Sequence, residues 1–204
     1  MNSTKVIILN ENLYLSRGMH KWVYFHPDNP SLCIKIPYTA NDIDLKRELT
    51  YRKILSQQKK ELSLIPTYYG SIETNIGKGY VFERIQDNDG QTSICVREFL
   101  RDYSSNFQDT IILENILLDF KRKYFQELPI TSDIDPGNLM VQKNVTDYTI
   151  RIFDNIGSPV FIPLEYYINY FAKTKIERYW SRFINWIKRE NPSLITETLI
   201  NKLK

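Results

Sequence analysis

Hydrophobic periodicity changes once along this chain, and that change constrains the fold more than any single motif does. Before the polar stretch Gln86–Gln91, apolar residues come in β-branched and aromatic runs: Val6–Leu9, Trp22–Phe25, Leu32–Ile36, Ile65–Ile72 and Gly79–Ile85. Turn residues such as Asn10, Gly18 and Asp28-Asn29-Pro30 separate the early ones, which is a strand pattern. One helix interrupts them, Asp42–Gln57, capped by Asn41 or Asp42, with Ile43, Leu45, Leu49, Ile54 and Leu55 as its apolar face. Beyond the polar stretch, Ser93–Asp102 and Gln108–Gln126 read as helices, the second on Ile112, Leu113, Ile116, Leu117, Phe120 and Tyr124. Two short strand-like runs follow, Leu139–Gln142 and Ile150–Phe153, around a turn at Asn144–Asp147. A last helix, Leu164–Lys188, precedes a polar tail. The order predicts an α+β fold with a strand-rich lobe over residues 1–86 and a helical lobe over residues 87–204.

Composition narrows the class. A chain of 204 residues buries a real core without staples. Cys33 and Cys95 form no C-x-x-C pair, and His20 and His26 are too few for a histidine-rich metal site. This argues against a disulfide framework or structural zinc. No apolar run reaches the roughly 18 residues of a membrane span, and Val6–Leu9 is too short for a signal peptide, so the expected compartment is the cytoplasm. A net charge of +3 is mild and decides little by itself; a nucleic-acid binder more often shows a concentrated basic face, and no nucleic-acid partner is expected. A monomer is assumed.

Four constellations carry chemistry. Lys35 stands inside the apolar strand Leu32–Ile36, where a buried ammonium needs compensation. Its expected partner is Glu48 in the following helix; the alternative is an edge-strand lysine facing water and a solvated Glu48. Ser16-Arg17-Gly18-Met19-His20-Lys21-Trp22-Val23 matches the protein-kinase loop G-x-G-x-x-G-x-V in register. Only Gly18 and Val23 survive, with Ser16 and Lys21 replacing the outer glycines. Asp133-Ile134-Asp135-Pro136-Gly137-Asn138 has the D-x-x-x-x-N spacing of the kinase catalytic loop, and a strand follows at once. Pro136-Gly137 makes a tight turn that returns Asn138 beneath Asp133; the alternative is an ordinary surface turn of the same residues. In Ile152-Phe153-Asp154-Asn155-Ile156-Gly157, a carboxylate ends an apolar strand as in D-F-G, with the glycine one place late. The alternative is a strand-end Asp capping a turn.

Across nearly its whole length the chain resembles the small bacterial kinase-like proteins of the PhoP regulatory network YrbL family. The likeness rests on Leu15–Tyr24, Cys33–Pro37, Asp133–Val141, and Phe161-Ile162-Pro163-Leu164 leading to Lys175-Ile176-Glu177-Arg178-Tyr179-Trp180. It implies a protein-kinase-like two-lobed fold with a shortened C-lobe that binds ATP and Mg²⁺. Carried over, Lys35 contacts the phosphates and pairs with Glu48, while Gly18 and Val23 belong to the covering loop. Backbone groups from Glu83 to Ile85 meet adenine. Asp133 orients the acceptor and joins Lys35 as a catalytic residue, and Asn138 and Asp154 hold magnesium. Thr131-Ser132 replaces the usual His-Arg, Asp135 stands where a charge-stabilising Lys is common, and no A-P-E motif or activation loop follows Gly157.

The last helix joins an apolar face (Ile176, Trp180, Phe183, Ile184, Ile187) to a basic one (Lys173, Lys175, Arg178, Arg182, Lys188, Arg189). It reads either as a docked helix with a solvated basic side or as a contact for an anionic acceptor or a membrane surface. The leading expectation is an enzyme, an ATP-dependent phosphotransferase with an unidentified phosphoryl acceptor. The alternatives are a nucleotide-binding pseudokinase that regulates a partner, and a basic RNA- or lipid-surface protein. All depend on Lys35, Asn138 and Asp154 converging on one cleft.

Overall fold

A computed structural model describes residues 6–40, 42–103, 107–194 and 196–203. The first half builds one antiparallel sheet from β1 (Tyr14–Arg17), β2 (Lys21–His26), β3 (Asn29–Pro37), β4 (Tyr68–Thr74) and β5 (Gly77–Glu83), in the order β1-β2-β3-β5-β4. Alternation along β3 sorts its side chains. Ile34 and Ile36 pack with Leu9 and Val81 on one face, while Cys33 joins Leu45 and Phe82 on the other. Gly79 is demanded by this packing, since a Cβ there would lie 2.6 Å from Ile34 Cγ2.

Helix α1 (Ile43–Gln57) crosses between β3 and β4, and the Asp42 carboxylate caps it by accepting from the Leu45 N–H. Asn41 lies outside the described residues. Leu45 and Leu55 are buried and Leu49 and Ile54 half-buried, as expected, but Ile43 is 76% exposed, and Glu48 and Tyr51 are buried as well. Tyr51 and Leu55 reach the larger core of the second half, where the Tyr51 hydroxyl accepts from the Ile130 N–H at 3.1 Å.

The strand expected at Val6–Leu9 is only a single parallel bridge, Ile7 to Thr74. The Asn75 side chain takes over there, accepting from the Leu9 N–H at 2.7 Å and donating to the Leu9 carbonyl at 3.0 Å. A 3-10 turn, Glu11–Leu13, then leads into β1. The polar stretch after β5 is ordered by Arg84, a buried guanidinium that donates to the carbonyls of Pro30 and Gly90 and to Thr92 Oγ1.

The second half opens with β6 (Ile94–Cys95), which pairs with the hairpin β7 (Leu139–Lys143) and β8 (Tyr148–Ile152). The helix expected from Ser93 therefore begins later, as α2 (Val96–Asp102). Its start is a capping box in which Cys95 Sγ accepts from the Glu98 N–H and the Glu98 carboxylate accepts from the Cys95 N–H. Helices α3 (Phe107–Glu127) and α4 (Asn169–Glu190) are the largest contributors to the large core. Leu113, Ile116, Leu117, Phe120 and Tyr124 of α3 are buried as expected, and Ile112 is exposed. The α4 face Ile176, Trp180, Phe183, Ile184 and Ile187 is buried in full.

Three further features of this half depart from expectation. The last helix starts at Asn169, after a 3-10 turn at Leu164–Tyr166. Lys175 is not on a solvated face; it is buried in an ion pair with Glu165 at 2.8 Å. The polar tail is a short helix, α5 (Glu197–Leu203), with Leu199, Ile200 and Leu203 buried and the Leu203 carbonyl accepting from Trp180 Nε1 at 2.8 Å. Among the described residues, no helix is long and apolar enough to cross a membrane.

Because α5 closes the core against Trp180, Leu199→Ala should lower the unfolding free energy by about 2–5 kcal/mol in urea denaturation. An unchanged midpoint would show that α5 is not docked.

Candidate functional site

The β1–β2 turn is held from outside. The Gly18 N–H donates to the Lys21 carbonyl at 2.9 Å, and the Tyr38 N–H donates to the His20 carbonyl at 2.9 Å. The Tyr38 hydroxyl donates to the Gly18 carbonyl at 2.7 Å and accepts from Arg17 Nε at 2.9 Å. A Cβ at Gly18 would meet nothing closer than 3.7 Å, so the turn itself does not require glycine there. Bare backbone is what it provides.

Lys35 is buried, as its strand position implies, but it does not pair with Glu48. Lys35 Nζ donates to the Phe153 carbonyl at 3.0 Å and lies 4.5 Å from the centre of the Phe82 ring. Glu48, 2% exposed, is taken by Arg52 one turn along α1, with Nε at 3.0 Å and NH2 at 2.7 Å on the same oxygen. The reason is local geometry: residues four apart on a helix are neighbours, and a guanidinium fork satisfies a buried carboxylate better than one distant ammonium. That spacing was legible in the sequence as a Glu48–Arg52 pair.

The Asp133–Asn138 turn closes as expected. Asn138 Nδ2 donates to Asp133 Oδ1 at 2.8 Å across a 3-10 turn, Pro136–Asn138, that Asp135 caps. Sequence reading missed two participants. Asn155 Nδ2 donates to both oxygens of Asp133, at 3.1 and 3.3 Å. Arg97 Nη2 donates to Asp135 at 2.6 Å, bringing a cation to the turn where Asp135 stands. Asn155 has φ 58°, a left-handed conformation that asparagine tolerates, so an Asn directly after Asp154 was a readable signal. Gly157 is late for a packing reason. Its φ is 96°, and a Cβ would lie 2.8 Å from Arg47 Cγ of α1.

Asp154 carries the most charged contact of the site. Its Oδ1 accepts from Lys21 Nζ at 2.6 Å, an ion pair between the start of β2 and the end of the hairpin. Burial disfavours the Asp154 anion, yet Lys21 and Lys35 more than offset this and hold its carboxyl below the ordinary range. Burial likewise opposes the Lys21 charge, and Asp154 outweighs it, raising the ammonium above the usual lysine value. The segment after Gly157 is short and braced. Ser158 Oγ donates to Glu165 at 2.5 Å, Lys175 donates to both, and the Ser158 N–H donates to the Tyr166 hydroxyl at 2.6 Å.

One cleft of about 690 Å³ collects Gly18, Val23, Lys35, Glu83, Ile85, Asn138 and Asp154, together with Lys21. Leu15, Val23 and Cys33 line it from the five-stranded sheet and Met140 from β7. Among the described residues the Ile85 N–H has no acceptor, while the Ile85 carbonyl accepts from the Ser93 N–H. Two expected residues lie elsewhere. Glu48 does not line the cleft, and Asp133 borders a smaller hollow of about 210 Å³ with Pro136, Tyr179, Arg182 and Trp186.

Asn138 Oδ1 and Asp154 Oδ2 are the oxygens that could hold a hard divalent cation. Among the described residues nothing donates to Asn138 Oδ1 or Asp154 Oδ2, and no group of three or more His, Cys, Asp or Glu forms a cage. One carboxylate and one amide oxygen suit magnesium, which takes few protein ligands and completes its shell with phosphate and water.

Comparison with known proteins gives a consistent family. A family profile described as PhoP regulatory network protein YrbL matches residues 7–188. The "Uncharacterized protein YrbL" of Escherichia coli (strain K12) is 34% identical over 183 residues, covering 88% of this chain and 87% of that protein. A protein of the same description from Shigella flexneri matches equally.

The Glu83 carboxylate is engaged within the fold, accepting from the Thr67 N–H at 2.9 Å and from Arg151 Nη2 of β8 at 3.0 Å. Burial pushes its pKa up, but the bonds from Arg151 and Thr67 prevail and lower it from the usual 4.5. A depressed carboxyl stabilises the fold above its ordinary pKa and loses that contribution as pH falls through the lower, folded value. Glu83→Gln should therefore be less stable than the parent by about 1–2 kcal/mol at neutral pH. In urea unfolding the gap should close as the medium is acidified below the glutamate range. A gap independent of pH would refute the ion pair.

Proposed function

The chain belongs to the PhoP regulatory network protein YrbL family, and we propose that it is an ATP- and magnesium-dependent phosphotransferase of protein-kinase-like, two-lobed fold. On this reading residues 1–86 form the strand-rich lobe and residues 87–204 the reduced helical lobe. The observation that carries the proposal is the meeting of Lys35 of the five-stranded sheet with Asn138 and Asp154 at the ends of the β7–β8 hairpin on one cleft that Leu15, Val23, Cys33 and Met140 also line. The sheet order β1-β2-β3-β5-β4 with α1 crossing between β3 and β4 supports the same fold.

Leu15, Val23, Cys33 and Met140 offer apolar surface to a flat ring, and the Ile85 N–H offers it a hydrogen bond. Lys35, anchored on the Phe153 carbonyl, supplies a fixed positive charge for phosphate oxygens. Asn138 and Asp154 are the residues that would hold magnesium, which offsets the charge developing on the transferred phosphoryl group. Asp133, its oxygens steered by the amides of Asn138 and Asn155, accepts the proton of an acceptor hydroxyl. The hollow beside it, with Arg182 and Trp186 on its wall, is where that acceptor enters.

A second reading, a nucleotide-binding regulatory module without transfer, draws support from two contacts: Lys21 on Asp154, and Glu48 engaged by Arg52 instead of Lys35. Calorimetry with ATP and Mg²⁺, paired with a radiolabel transfer assay, separates the two. Phosphotransfer predicts saturable binding plus turnover, with Asp133→Ala cutting turnover by about 10²–10⁴-fold at little change in ATP affinity. Binding without turnover on any acceptor would select the regulatory reading, and no binding at all would end both.

A further inference from the structure

Lys21 is the residue that the sequence pattern treats as a lost glycine, and the structure gives it a place in the site. It is 9% exposed, its ammonium lies 2.6 Å from Asp154 Oδ1, and its side chain lines the same cleft as Lys35 and Asn138. Its backbone is fixed as well, since the Lys21 carbonyl accepts from the Gly18 N–H of the turn. We propose that Lys21 is a phosphate-binding residue that exchanges partners: it neutralises Asp154 in the free protein and moves to a nucleotide phosphate when magnesium takes that carboxylate. This rests on the nucleotide-binding reading above.

The argument is one of charge. A buried ammonium is not left unpaired without a large destabilisation. A metal on the other oxygen of Asp154 takes up the negative charge that holds Lys21, so the ammonium then needs a new anion within reach, and the only anion a metal–nucleotide brings to this cleft is its phosphate chain. The lysine stem is flexible, and its head needs only to swing within the pocket it already lines. Asp44, Glu83 and Glu98 also line the cleft, but Asp44 is engaged by Arg47 at 3.0 Å, Glu83 by Arg151 at 3.0 Å and Glu98 by the Cys95 N–H; of the other carboxylates that act on Lys21, Glu48 is held by Arg52 and Asp42 by the Leu45 N–H. A single-glycine turn thus recovers a cation where it has given up backbone flexibility. The exchange also makes Lys21 and the metal competitors for Asp154 in the absence of nucleotide.

The test compares adenosine with ATP by calorimetry, with and without Mg²⁺, for the parent, Lys21→Met and Lys21→Arg. Adenosine affinity should be the same in all three. Affinity for ATP with Mg²⁺ should fall about ten-fold or more in Lys21→Met and recover in large part in Lys21→Arg. Millimolar Mg²⁺ alone should raise the thermal unfolding midpoint of Lys21→Met and leave that of the parent unchanged. Should Lys21→Met not fold, Asp154→Asn and the double variant Lys21→Met/Asp154→Asn carry the same comparison in EDTA, where the single variant should hold ATP more tightly. Parent binding of ATP that Lys21→Met retains at full strength would overturn the proposal and leave the nucleotide reading intact. A parent that binds neither adenosine nor ATP would overturn the nucleotide reading itself.

Discussion

A carboxylate partly withdrawn from water needs positive charge beside it, and in this protein Asp154 finds it in β2 and β3. Lys21 contacts it directly and Lys35 reaches the carbonyl beside it. Both lysines belong to the five-stranded sheet, whereas Asp154 ends the hairpin of the second half. The charge requirement of one side chain therefore fixes how the roof and floor of the cleft face each other. Glu83 and Arg151 repeat the device further along, between the end of β5 and the middle of β8.

Around that core of charge, rigidity comes from polar side chains that substitute for backbone pairing. Tyr38 holds the β1–β2 turn, Arg84 holds the polar stretch after β5, and Asn75 takes over a strand ladder for Leu9. The Ser158–Glu165–Lys175 triad holds the segment that runs from Gly157 to α4. That last segment presents Val160, Phe161 and Ile162 to solvent, with Phe161 99% exposed, on a backbone pinned at both ends. Each brace spans a place where regular hydrogen bonding stops, which is where a loop otherwise has unsatisfied groups.

Much of the site was legible. The Pro136-Gly137 turn brings Asn138 to Asp133 through contacts within six residues, and β3 buries Lys35 by simple alternation. The Lys35–Glu48 pair failed because Arg52, four residues along the same helix, competes for Glu48. Helix α5 was missed because seven residues with three apolar positions carry too little periodicity to read. Ile94 and Cys95 read as helix because two strand residues have no period of their own; pairing with β7 decides their state.

By itself, then, the sequence determined the course of the longer strands and helices, the turn that gathers Asp133 and Asn138, and the burial of Lys35 in β3. These follow from periodicity and from turn chemistry, both short-range and written in neighbouring residues. Tertiary structure alone decided the partners of the buried charges: Lys21 with Asp154, Lys35 with a carbonyl, Glu165 with Lys175. Electrostatic pairing in a low-dielectric interior depends on distance in space, and the 133 residues that separate Lys21 from Asp154 carry no pattern that encodes their meeting.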